Sequence, residues 1–305
     1  LIQADNNVTV LARKERAESL NKNGLVIYHH LQRKTTRDFV EAITDTGGRS
    51  FDAAFVVMPY HKLKEALPQI YEIDTKLLVL VGNDMSPAEI KEKIRENAPN
   101  IKKIMFGFQV SGGKKEEDRY ICERFGASYM DLGQLHGRTS DKMRRWIEKM
   151  FTGTKYKLNW QDDMESYLIC YPAAILPIAY LSYICDGNLR KSTQVQRKMM
   201  FDASHEAYEC LKKKGITIYP KGDDKFYGKG LRGKLMQFLY FVMAKSKIGD
   251  LVACEHCRNS VSEMEEIDLF YEDLLKDCPE SDLVTWNKLR SMMPAWSEIH
   301  EKYGN

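Results

Sequence analysis

The chain carries no real excess of either charge: 46 basic residues stand against 43 acidic ones in 305, a formal net charge of +3. Nucleic-acid binders usually show a clear basic surplus or stripe, so this balance speaks against that class of partner. Short basic runs such as Lys212, Lys213 and Lys214 have acidic residues close by and read as solvated helix faces. Long apolar runs are also missing. The longest, Tyr167 to Ile184, is interrupted by Pro172 and Pro177 and follows Asp162, Asp163 and Glu165. A membrane span normally needs about 20 apolar residues, so this stretch reads as a buried core helix and no membrane partner is expected. Asp5, Asn6 and Asn7 break up the opening residues, which therefore do not form a signal peptide. Seven scattered cysteines make an odd set in a chain too large to need disulfide staples; reduced thiols and a cytoplasmic location are expected. There is no internal repeat and no low-complexity segment.

What is present falls into two parts. The first half alternates short apolar runs with amphipathic segments: Val8 to Ala12, Ala53 to Met58, Leu77 to Val81 and Lys103 to Phe108 read as strands. Helical spacing follows the first three, over Glu15 to Leu20, Lys62 to Ile70 and Pro87 to Asn97, the last with Ser86 as N-cap and Pro87 at its first position. Fully apolar strands separated by helices predict a parallel sheet covered on both faces. After residues 150 to 160 helical spacing dominates, over 162 to 185, 189 to 214, 231 to 246, 249 to 276 and 282 to 302. Only Gly215 to Pro220 reads as extended. An α/β domain of the Rossmann type over 1–157 is thus expected before an all-α domain over 158–305. The aromatic-rich run Phe238 to Met243 suits burial within the helical domain, the plainer account, or a homodimer face.

Open α/β sheets bind ligands beyond the carboxyl ends of their strands. The first run ends in Ala12-Arg13-Lys14-Glu15-Arg16. An acidic residue there would accept from the 2′-hydroxyl of NAD, whereas Arg13 and Lys14 can neutralise the 2′-phosphate of NADP. The alternative, a merely basic helix start, opposes the helix dipole and costs a little, which favours a bound anion. The second run ends in Met58-Pro59-Tyr60-His61 and the third in Gly82-Asn83-Asp84. Asn83 can present an amide to a nicotinamide ribose or a carbonyl substrate, and is equally an ordinary turn residue. Ser111-Gly112-Gly113 reads as a loop turn.

Several of these segments resemble one family. Val8 to Arg13, then Arg16-Ala17 and Asn23-Gly24-Leu25, are similar to the second strand and following helix of ketopantoate reductases (2-dehydropantoate 2-reductases). Phe51-Asp52, Glu65-Ala66-Leu67, Leu80-Val81-Gly82-Asn83, Phe106-Gly107-Phe108 and Gly133 through Gly137 continue the likeness in order. In the helical half, Asp163-Met164, Tyr167-Leu168, Pro177, Gly215-Ile216 and Pro220 extend it to about residue 275. The resemblance implies hydride transfer from NADPH to the ketone of a small 2-oxo acid. It would place Arg13 and Lys14 on the 2′-phosphate, with Pro59, Tyr60 and Asn83 along the cofactor.

Three departures accompany the likeness. The family's first strand and G-x-G-x-x-G turn would precede Leu1, and a full-length form is expected to begin with them. The family's general-acid lysine falls at Ile169 and a nearby asparagine at Ala173, while a further lysine is replaced by Pro59. Isoleucine cannot donate to a developing alkoxide; Tyr171 is the nearest proton donor, though tyrosines on packed helices are usually core. The late serine-rich and glutamate motif has no secure counterpart. His256, Asn259 and Glu263 have i, i+3, i+7 spacing and suit either one cleft-facing helix face or a solvated surface. The catalytic candidates are therefore Asn83, His256 and Glu263. Cys254-x-x-Cys257 lacks a second ligand pair, and no metal is expected. A nucleotide-binding protein without turnover and an opine-type dehydrogenase are the alternatives.

Overall fold

Leu77, Leu78 and Val79 are fully buried, as a central strand between covered faces requires. They belong to β6 (Asp74–Val81), an interior strand flanked by β7 and β5 in a five-stranded sheet of order β11-β10-β7-β6-β5. Its other strands are β5 (Ser50–Val57), β7 (Ile104–Gln109), β10 (Tyr129–Gly133) and β11 (Lys157–Gln161). The computed structural model describes residues 1–109, 112–116, 119–123, 128–246, 249 and 254–304. It divides into two units, Leu1–Met164 and Glu165–Asn305.

In the first unit β5, β6 and β7 are parallel, but β10 runs antiparallel to β7 and parallel to β11. The sheet is therefore mixed where the apolar runs predict a parallel one. Leu77, Val79, Val81, Met105, Met130 and Leu132 pack on Ile147 of α4 (Asp141–Lys149), with Phe55, Trp146 and Phe151 against them. The division placed at 157/158 from sequence falls at the start of β11, whose ladder with β10 keeps the chain in this unit.

The first apolar run does not join that sheet. β1 (Thr9–Leu11) pairs in parallel with β4 (Glu41–Ile43) as a separate two-stranded ribbon. With α1 (Lys14–Asn23) it makes its own small core of Ala17, Leu20, Val40 and Ala42. Asn21 closes the edge of β4: its amide donates to Ala42 O at 2.8 Å and accepts from Ala42 N at 2.8 Å. A third sheet, β3-β2-β9-β8, comprises β2 (Leu25–His29), β3 (Lys34–Asp38), β8 (Gly112–Glu116) and β9 (Arg119–Glu123). Gly112 and Gly113 thus lie in a strand rather than a loop turn, and Ser111 lies outside the described residues.

Two helices cover the strand ends that matter below, α2 (Tyr60–Tyr71) after β5 and α3 (Pro87–Asn97) after β6. Ser86 is the N-cap of α3 by position, yet its side chain makes no capping bond. Asp84 Oδ1 instead accepts from Ser86 N at 3.0 Å and sets the turn into the helix.

The second unit is helical. Its helices are α5 (Met164–Ile184), α6 (Gln194–Lys213), α7 (Leu231–Lys245), α8 (Glu255–Asn259), α9 (Val261–Leu275), α10 (Val284–Ser291) and α11 (Trp296–Tyr303). α5 is apolar all round because it is the core: 72% of its most apolar window is buried. α6 starts at a capping box, with Thr193 Oγ1 accepting from Gln196 N and Gln196 accepting from Thr193 N. The two C-terminal helical runs read from sequence are each broken, at Ser260 and at the turn before Trp296 that contains Pro294.

Candidate functional site

The residues singled out in the first unit all sit where a strand hands over to a helix. Arg13 is the N-cap of α1, immediately after β1, in extended backbone, and its side chain makes no capping bond. Arg13 and Lys14 are exposed. Neither forms an ion pair or a side-chain hydrogen bond among the described residues. The helix start has no side-chain cap and carries these two unpaired cations with one first-turn carboxylate, Glu15, so its positive end is only partly compensated and suits an anion.

Pro59 is the N-cap of α2 and Tyr60 its first residue. Tyr60 is buried, with the Lys64 ammonium 4.0 Å from its ring centroid. Gly82 ends the hydrogen-bonded part of β6, its N–H donating to Gly107 O at 3.1 Å. A Cβ at Gly82 would lie 2.7 Å from Met58 O, so the tips of β5 and β6 come this close only because residue 82 has no side chain. Asn83 and Asp84 follow, both buried. Met58, Tyr60, Gly82, Asn83 and Asp84 line one crevice at this edge, with about 10 Å³ of internal space, room for a single water. The structure thus brings Tyr60 and Asn83 together. Arg13 belongs to the separate β1–β4 ribbon.

A nicotinamide dinucleotide is the group the strand tips suggest. The residues that would hold it are the cations Arg13 and Lys14 at one strand tip and the buried amide of Asn83 at another. The sequence holds one G-x-G-x-x-G run, Gly228 to Gly233, which the strand-tip reading passed over. It opens α7 without a preceding strand, and a Cβ at Gly233 would lie 1.8 Å from Gly228 O. Those glycines serve close packing inside the second unit, outside the strand–turn–helix setting that a dinucleotide turn requires.

In the second unit, Ile169 is half-buried on α5 and its carbonyl accepts from Tyr271 OH. Ala173 is fully buried, and Tyr171 is half-buried on the same helix. His256 and Asn259 are exposed on the short α8, with His256 Nδ1 3.5 Å from Ser260 Oγ. Glu263 is buried on α9. Ser260, at φ −133° and ψ 39°, breaks the helix between them, so the i, i+3, i+7 spacing does not place these three on one continuous helix face. Cys254 and Cys257 are both buried, and burial pushes the Cys257 thiol up to about 12.

A polar network escaped sequence reasoning. Asp268 on α9 is 1% exposed and accepts from Tyr180 OH, from Arg290 and from Trp296 Nε1 at 3.0 Å. It borders an open cavity of about 340 Å³ that Asn287, Pro294 and Trp296 also line. Its partners come from α5, α10 and α11, and no short-range spacing signals such a meeting. Every contact of the carboxylate is to a donor, so the network is a structural clamp.

Residues 1–137 match the family model described as ketopantoate reductase PanE/ApbA. Among solved structures, the chain is similar to D-mandelate dehydrogenase in its ternary complex with NADH and anilino(oxo)acetate. The TM-score is 0.72 at 13% identity, covering 100% of this chain and 94% of that one. The 2-dehydropantoate 2-reductase of Geobacter metallireducens gives 0.68 at 14% identity, over 95% and 93% of the two chains. The dimeric ketopantoate reductase of Staphylococcus aureus gives 0.60 at 11% identity, over 92% and 88%. A different likeness joins 97 residues to GTPase Der of Campylobacter fetus at 28% identity, over 31% of this chain and 21% of that protein. The chain thus spans about a fifth of that curated relative, and it contains no G-x-x-x-x-G-K-[ST] phosphate loop. The structural likenesses establish the fold: a Rossmann-type N-terminal unit followed by a helical one.

Proposed function

We propose, from residues 1–137 that belong to the ketopantoate reductase PanE/ApbA family, that this protein is a cytoplasmic NADPH-dependent reductase of a small 2-oxo acid. The observation that carries the cofactor reading is the pair of unpaired cations, Arg13 and Lys14, at the uncapped start of α1. A 2′-phosphate there would gain both charges and the first-turn N–H groups, none of which an NAD ribose needs. Asn83, held beside Tyr60 by the close approach at Gly82, would orient the nicotinamide side or the substrate carbonyl through its amide. Pro59 and Tyr60 would line that side through the start of α2. When bound, the dinucleotide supplies the hydride; the chain's part is to hold it and deliver a proton to the new alcohol oxygen. With Ile169 unable to do so, the acid/base candidates of the second unit are His256 and Glu263. Free thiols among the seven cysteines accord with a reducing cytoplasm, and a homodimer is the assembly proposed.

Following loss of reduced nicotinamide absorbance with NADPH and a panel of 2-oxo acids tests the reading. Turnover of at least one acid, with NADPH preferred over NADH, is the expected result. A protein that binds neither cofactor refutes it. The second reading, a nucleotide-binding protein without turnover, is favoured by Ile169 and Ala173; cofactor binding without oxidation across the panel is its signature. An amine co-substrate requirement would indicate an opine-type dehydrogenase instead.

A further inference from the structure

We propose that Cys210 and Cys278 are a peroxide-oxidisable dithiol: a hydroperoxide oxidises Cys278, and Cys210 then joins it in an intrachain disulfide. The inference goes beyond the reductase reading and is independent of it. Cys210 lies in the last turn of α6, and Cys278 follows α9 in a turn where its N–H donates to Leu275 O at 2.9 Å. Both cysteines are free, and a hydrogen bond joins their side chains. Two ion pairs flank that contact. Lys213 Nζ reaches Asp282 Oδ2 at 2.5 Å, and Lys214 Nζ reaches Asp277 Oδ2 at 3.4 Å. Asp277 and Asp282 stand on either side of Cys278 in the chain, so the turn is pinned to the end of α6 before and after the sulfur. A disulfide demands two cysteines that already face each other, a condition most pairs fail and this contact meets. Among the described residues no three His, Cys, Asp or Glu side chains gather as metal ligands, which leaves the pair to thiol chemistry.

Access and protonation assign the two roles. Cys278 is half-buried and open to a small oxidant, whereas Cys210 is buried. Burial first, then the hydrogen bond shared with Cys278, holds the Cys210 thiol protonated and above its ordinary range. The Cys278 thiolate therefore attacks the O–O bond, takes one oxygen as a sulfenic acid and releases hydroxide. The Lys213 ammonium lies close enough to interact with both sulfurs, so its positive charge stands beside the departing hydroxide. The Cys210 sulfur then attacks the sulfenic sulfur, and the sulfenic oxygen leaves as water with the Cys210 proton. With hydrogen peroxide, two thiols give one disulfide and two waters; the sulfurs lose two electrons and the O–O bond gains them. Exposure sets the pair apart from the other thiols: Cys170, Cys185, Cys254 and Cys257 are buried, and half-buried Cys122 lies in the first unit. The new bond would close the long loop that carries α7, α8 and α9.

Brief treatment of the intact reduced chain with hydrogen peroxide, alkylation of the remaining thiols and mapping of proteolytic peptides tests this. The expected product is a linked peptide pair holding Cys210 and Cys278, separated again by dithiothreitol. The oxidised chain should melt roughly 5–10 °C above the reduced one, because the bond constrains the unfolded loop. Cys210→Ser should leave Cys278 as a sulfenic acid that dimedone labels. Cys278→Ser should slow oxidation at residue 210 at least about tenfold. The wild-type peptide map needs no variant, so it decides the matter even where a substitution at buried residue 210 disturbs folding. Oxidation spread over the half-buried thiols without a Cys210–Cys278 linkage overturns the inference. So does a linkage that forms no faster in the native chain than in urea, where the contact is gone.

Discussion

Arg290 forks onto Asp268 across the helical unit: Nε reaches Oδ1 at 2.9 Å and Nη2 reaches Oδ2 at 2.9 Å. The same guanidinium donates to Glu272 Oε1 at 2.8 Å. Burial works to lower the Arg290 pKa, but the hydrogen bonds to Asp268 and Glu272 outweigh it and hold the group above its ordinary value. Removing the arginine leaves a carboxylate that is 1% exposed without its counter-charge, held only by Tyr180 OH and Trp296 Nε1. Arg290→Met should therefore destabilise the protein by about 3–5 kcal/mol, as read from denaturant midpoints. Glu272→Gln, at a half-exposed partner, should cost less than about 1 kcal/mol. Equal losses for the two variants would deny Asp268 its place as the anchor.

Asp223 gives a pH dependence with the opposite sense to the usual carboxylate. Burial pushes its pKa up, the hydrogen bond from Tyr208 OH opposes this, and Asp224 adds to the rise. The folded state then holds the proton more tightly than the unfolded chain. That contribution is fully present at low pH and is lost as pH rises through the raised value. Asp223→Asn keeps an acceptor for Tyr208 without the buried charge. Thermal melts should show the variant ahead of the wild type at neutral pH, with the gap closing in mild acid. A gap that is constant with pH would mean that Asp223 has the same pKa in the folded and unfolded states.

At the other end of the chain, Arg13→Ala should weaken NADPH by at least about tenfold, or ~1.4 kcal/mol, and leave NADH nearly unaffected. Titration of each cofactor against intrinsic fluorescence measures both constants. Parallel losses for the two would take Arg13 off the 2′-phosphate.

Gly82→Ala probes the strand tips. The new methyl group would press on Met58 O at 2.7 Å, a backbone atom that cannot rotate away. A loss of about 1–3 kcal/mol is expected from chemical denaturation, with weaker binding of either cofactor because Asn83 moves with the backbone. An unperturbed melt would show that β5 and β6 can part without cost.

The apolar strands were legible because burial on both faces leaves a continuous signal: Leu77 to Val81 and Ala53 to Met58 both became strands of the main sheet. Lys34 to Asp38 is a strand of the separate four-stranded sheet, but its run of Lys, Thr, Thr, Arg and Asp is mostly exposed and carries no apolar period. The antiparallel turn of β10 was hidden for a different reason, since strand direction is set by partners distant in sequence. Helix breaks at Ser260 and before Trp296 were unread because apolar spacing resumes in phase beyond them. The placement of Asn83 and Tyr60 at neighbouring strand ends was legible because the strand-to-helix handover has a fixed geometry. The meeting of Asp268 with Arg290 obeys no such local rule.

Among the described residues the ribbon of β1 and β4 is laddered to itself alone, while Asn83 follows β6 of the five-stranded sheet. A dinucleotide reaching from Arg13 to Asn83 would then stitch together two pieces that no backbone ladder joins. Occupancy should slow amide exchange at Thr9 to Leu11, far from any bond being made or broken, and the ligand would serve as a seam in the fold as well as a reagent.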